Sequence, residues 1–88
     1  MSALRRCRQP VPARVTVADG RPVRVTTDRR GLTGGSVTAC AGPWRTSGEW
    51  WAGAWDRDEW DVSLSDGAAY RIFRDRDTDG WFIDAIAD

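Results

Sequence analysis

The stretch Glu59-Trp60-Asp61-Val62-Ser63-Leu64-Ser65-Asp66-Gly67-Ala68-Ala69-Tyr70-Arg71-Ile72-Phe73-Arg74 decides how this chain is read. Trp60, Val62 and Leu64 alternate with Asp61 and Ser63, the period of two that turns one face of a strand inward and the other to solvent. Asp66-Gly67 is a hairpin signal, because Asp and Gly tolerate the positive φ of a tight turn. Residues 69–74 then run back antiparallel. Asp75-Arg76-Asp77-Thr78-Asp79-Gly80 turns the chain again, and Trp81-Phe82-Ile83-Asp84-Ala85-Ile86 completes a three-strand meander. Apolar residues on both alternations of that last segment predict a strand covered on both faces.

Working toward the N-terminus, the same alternation recurs. Val15 and Val17 share a face in residues 14–18, Asp19-Gly20 is another hairpin signal, and residues 22–27 alternate again. Pro22 cannot donate to a ladder, so that strand begins at an edge or a bulge. Residues 28–35 read as a loop rich in Arg and Gly. Residues 36–41 read as a strand that Gly42-Pro43 breaks. Residues 44–58 read as a long Trp-rich connection, with room for a short strand near Glu49-Trp50-Trp51. Residues 1–13, with Arg5, Arg6, Arg8 and the alternating Pro10 and Pro12, read as a flexible arm in extended, polyproline-like backbone. No segment carries a helical apolar period over a window of about eleven residues. The expectation is therefore a single all-β domain over residues 14–88: a small antiparallel barrel or rolled sheet of about six strands with a C-terminal three-strand meander.

Composition limits the function. The chain has 88 residues and a mass of 9.8 kDa, which is one domain. All thirteen cations are Arg, there is no His, and thirteen acids balance the charge. Without His or Lys there is no imidazole base, no Schiff-base amine and no P-loop lysine, so the chain reads as a non-enzyme with no cofactor. Nor can two Cys without His furnish a four-ligand zinc site. Cys7 and Cys40, 33 positions apart, read as free thiols of a reducing compartment, so the expected location is cytoplasmic. No stretch approaches the length of a membrane span, and the N-terminus has no apolar signal-peptide core.

The neutral total hides a division. Residues 1–48 hold nine Arg and two acids, a net of +7, while residues 49–88 hold four Arg and eleven acids, a net of −7. Such a chain can serve as its own counter-ion, or its basic part can meet a polyanion. Asp75-Arg76-Asp77-Thr78-Asp79-Gly80 copies the first six positions of a calcium loop. The twelfth position is Ile86, where a bidentate Glu is needed, so a hairpin turn is the expectation and no metal site is assigned.

Six Trp are a large excess for a chain of this size. Trp60 and Trp81 occupy inward strand positions and read as core. Trp44, Trp50, Trp51 and Trp55, with Arg45 and Arg57 beside them, are the candidates for a partner-binding surface, since Trp and Arg are enriched at interface hot spots.

The run Asp19-Gly20-Arg21-Pro22-Val23-Arg24-Val25, then Ala41-Gly42-Pro43-Trp44, Trp50-Trp51, Asp66-Gly67 and Gly80-Trp81-Phe82 resembles, in order and spacing, the C-terminal domain of ImuB-type proteins. These are Y-family polymerase-like proteins of damage-induced mutagenesis. The resemblance spans about residues 13–88. It implies a part in DNA repair and translesion synthesis without catalysis, through contacts with a RecA-like accessory protein and an error-prone polymerase. Clamp binding does not carry over, because Gln9, the sole Gln, is followed by Pro-Val-Pro-Ala. The alternative is a small β-barrel that binds single-stranded nucleic acid through Arg5, Arg6, Arg8, Arg29 and Arg30 with exposed Trp. The acidic C-terminal half opposes it.

Overall fold

The computed structural model describes the backbone of residues 5–28, 34–50 and 53–87, and the side chains of residues 9–28, 34–45 and 56–87. Six strands follow one another: β1 (Arg5–Ala18), β2 (Arg21–Thr26), β3 (Gly35–Trp50), β4 (Gly53–Leu64), β5 (Ala69–Asp75) and β6 (Trp81–Ala87). Each pairs antiparallel with the next, and β1 pairs with β6, so the sheet closes as an up-and-down barrel. Closure suits a chain of many short apolar faces, because it leaves few unpaired strand edges. Among the described residues no helix is long and apolar enough to cross a membrane.

The alternation of β4, β5 and β6 builds the core. Trp60, Val62 and Leu64 of β4 pack with Tyr70 and Ile72 of β5, Ile83 of β6, Val25 of β2 and Val11 of β1. Ile72, Ile83 and Val25 have no exposed surface. Trp81 packs against this cluster but stays half-buried, because it lies near the barrel's end opposite Arg74 and Ala13. Cys40 is a partly buried free thiol on β3.

The turns follow their residues. Asp19 and Gly20 both have positive φ, 53° and 74°, as the tightest hairpins require. At the β4–β5 turn the Asp66 carboxylate accepts the Ala68 N–H at 2.9 Å, and Gly67 takes a φ of 90°.

Two sequence expectations are corrected. Of residues 1–13, read as an arm, residues 1–4 lie outside the described residues, while 5–13 form the first part of β1, with residues 5, 6 and 11–13 paired to β6 and Val11 buried. Pro12 is compatible with this because its carbonyl faces away from β6, accepting from Oγ1 of Thr27, just past β2, at 2.9 Å. In an antiparallel strand the N and C=O of one residue face the same side. The N–H that Pro12 lacks would therefore point away from β6, and no ladder bond is lost. Of residues 44–58, read as a connection, residues 44–50 and 53–58 instead belong to β3 and β4, paired from Trp44 opposite Glu59 to Trp50 opposite Gly53, and residues 51–52 lie outside the described residues. Gly42-Pro43 does not end β3. It occupies a bulge between Ala41 and Trp44, where Gly42 has a φ of 121° and lies so close to β4 that a Cβ would stand 2.8 Å from the Glu59 carbonyl. Only Gly passes there without strain.

Candidate interaction face

The register of four strands gathers an aromatic surface on the outside of the barrel. Phe82 of β6 lies opposite Phe73 of β5, Phe73 opposite Glu59 of β4, and Glu59 opposite Trp44 of β3. Paired residues share a face, and this is the face opposite Trp60, Ile72 and Ile83, which point inward. The signal was present in Arg71-Ile72-Phe73 and Trp81-Phe82-Ile83, since neighbouring apolar residues in a strand point to opposite faces. Phe73, Phe82 and Glu59 were not among the candidate residues drawn from the sequence.

Phe73 is buried although it lies on the outer wall. Phe82 stacks on it, with ring centroids 5.2 Å apart and planes inclined by 25°. The Arg57 guanidinium sits 4.3 Å from the centre of the Phe73 ring, within cation–π range. Arg57 is held there by an ion pair to Glu59 at 2.8 Å. Its Nε hydrogen-bonds to nothing among the described residues, so ring and carboxylate position the group. Trp44 completes the row and keeps 48% of its surface exposed. An exposed Trp next to a braced Arg and a stacked Phe pair is a surface rich in the residues that dominate protein interfaces.

Beyond this row the β3–β4 hairpin continues past β5. The last β5 residue to pair is Asp75, opposite Arg57. Residues 47–50 and 53–56 form a two-stranded ribbon, in which backbone pairing puts positions 50 and 55 on the same face as Trp44 and Arg57. The root of the ribbon is fixed from its other face. Asp58 lies between Arg45 at 3.5 Å and Arg76 at 3.4 Å, and Arg76 also reaches Asp56 at 3.3 Å. The Arg76 N–H donates to the Asp56 carbonyl at 3.0 Å.

The candidates drawn from the sequence thus divide. Trp44 and Arg57 lie together on the outer face. Arg45, on the opposite face, pairs with Asp58. Trp50 and Trp55 are ribbon positions whose side chains lie outside the described residues, and Trp51 lies outside them altogether. Of the nucleic-acid candidates, Arg5, Arg6 and Arg8 have described backbone in β1 without described side chains, and Arg29 and Arg30 lie outside the described residues.

The segment resembling a calcium loop is a hairpin turn. Asp75 uses its carboxylate to accept the Asp77 N–H at 2.9 Å, and its carbonyl accepts the Asp79 N–H at 2.8 Å. Asp79, at a φ of 61°, pairs with Arg74 at 2.9 Å. Among the described residues no three His, Cys, Asp or Glu side chains form a metal-binding group.

The arginines of the C-terminal half are paired within it, although its acids outnumber them. All four Arg of residues 49–88 have acidic partners there: Arg57 with Glu59, Arg71 with Asp61, Arg74 with Asp79, and Arg76 with Asp56 and Asp58. The Asp61 carboxylate grips Arg71 with two hydrogen bonds, at 2.8 and 3.2 Å, and raises its pKa above the usual arginine value. One described ion pair, Arg45 with Asp58, joins the basic half to the acidic half. Among the described residues, ion pairing between the halves is confined to that pair.

Compared with known proteins, the chain matches no protein-family model, no curated sequence and no solved structure.

Proposed function

We propose that this barrel is a non-catalytic protein-interaction module, and that its outer aromatic face and the β3–β4 ribbon contact the partner. The observation that carries this is Trp44, about half exposed beside an Arg57 already braced on Phe73 and Glu59. Such an anchor loses little conformational freedom on binding, which is what makes Trp and Arg effective at interface centres. The resemblance of residues 13–88 to the C-terminal domain of ImuB-type proteins supplies the context. The module would act in the cytoplasm within a mutagenic DNA-repair complex, and its partners would be the RecA-like accessory protein and the error-prone polymerase. Glu59 within the face disfavours a nucleic-acid backbone as the occupant.

The test is a pull-down of the accessory protein and the polymerase by the intact chain, beside a gel shift with a single-stranded oligonucleotide at low and moderate salt. Capture of either protein without a shift supports the proposal. A tight, salt-sensitive shift without protein capture overturns it.

A further inference from the structure

The barrel is closed by a weak seam. The described β2–β3 ladder consists of Arg24 opposite Ser36 and Val25 opposite Gly35. Beyond these pairs the strands diverge. Residues 21–23 of β2 and 37–40 of β3 line a groove of about 580 Å³ between them. The two walls are strand edges, each with a partner on its far side: β1 for β2 and β4 for β3. Apart from Pro22, which has no N–H, backbone groups on their near sides have no strand partner among the described residues. Val23, 39% exposed, borders the groove on its outer side, and the partly buried Val37 packs toward the core on its inner side. Charge sets the chemistry of the occupant. Arg21 lines the groove and Arg24 stands exposed where it closes, and neither has an ion-pair partner among the described residues, unlike the four Arg of the acidic half. Asp19, at the hairpin tip, is the acidic group of the lining.

We infer that the seam accepts an extended acidic segment of a protein partner, which adds a strand between β2 and β3. Main-chain hydrogen bonds to the free edges hold it, alternate apolar side chains turn inward toward Val37, and its carboxylates, on the exposed side, meet Arg21 and Arg24. The proposal extends protein binding to a second place on the barrel and does not require the aromatic face.

The experiment uses a fluorescein-labelled peptide of alternating Val and Glu, with two controls: the same peptide with Lys for Glu, and one with Pro at each Val. Anisotropy should rise with the Glu peptide and fall at least about tenfold in affinity with either control or with the Arg21→Glu/Arg24→Glu double variant, since the charges at the rim complement it. Hydrogen exchange should slow at Arg21, Val23 and residues 37–40 when the peptide is bound. Trp44→Ala should leave this binding unchanged, so failure here is distinguishable from failure of the aromatic face. Equal binding of the Glu and Lys peptides, no binding at all, displacement by oligothymidylate, or slowed exchange of the seam on self-association without peptide would each overturn the inference.

Discussion

Replacing Trp60 with Ala should nearly abolish the fold, while the same change at Trp81 should not. Trp60 is 5% exposed and lies in the central cluster with Val62, Tyr70, Ile72 and Ile83. Truncating a buried ring to Ala leaves a cavity and costs roughly 3–5 kcal/mol. A domain of this size has about 4–13 kcal/mol of total stability. At roughly 4–8 °C per kcal/mol, Tm should fall by about 12–40 °C. Trp81 is half-buried near the barrel's end, so less area is lost and the cost should be about 1–3 kcal/mol. The assay is thermal melting followed by circular dichroism, with urea titration giving the free energy. If Trp60→Ala melted within a few degrees of the parent, or if Trp81→Ala were the more damaging change, the assignment of inner and outer faces would be refuted.

Further outcomes follow from particular sites. Val11→Asp should destabilise by at least about 2 kcal/mol, because it buries a carboxylate in the core; a neutral result in urea titration would return residues 5–13 to the status of an arm. Gly42→Ala should lower stability by about 1–3 kcal/mol, since a Cβ there meets the Glu59 carbonyl at positive φ; an unchanged denaturation midpoint would refute the close approach. Arg57→Ala should cost about 1–2 kcal/mol through the lost ring contact and ion pair, and Arg57→Lys should recover less than half of it, as urea titration would reveal. Millimolar calcium should leave Tm unchanged, because Asp75 and Asp79 already serve the β5–β6 turn; a rise that disappears in Asp77→Asn would show a bound ion.

How far the sequence could be read depended on where alternation was clean. Trp60, Val62 and Leu64 announce β4's inner face, and Asp66-Gly67 announces its turn, because burial and backbone conformation there are set by near neighbours. The first part of β1 was hidden by Pro10 and Pro12. The missing N–H of Pro12 is harmless only because of which side of the strand pairs with β6, a fact of tertiary structure. The continuity of β3 was hidden by Gly42-Pro43, which ordinarily ends a strand and here fills a bulge. Trp44 and Arg57 were legible as surface candidates from residue type. Their union with Phe73, Phe82 and Glu59 was not, because it depends on the register of four strands, which residue types along one strand do not specify.

The most direct test of the central claim is calorimetric binding of the folded chain to the RecA-like accessory protein and to the error-prone polymerase, with parent and Trp44→Ala compared under one buffer. Trp44 is 48% exposed and outside the core, so the variant should stay folded, and both chains are compared below the variant's own melting transition. The account predicts that it loses at least about 2 kcal/mol of binding, near a thirtyfold weaker Kd, to the partner the parent binds. Identical affinity of parent and variant, or no binding of the parent to either protein, would contradict it.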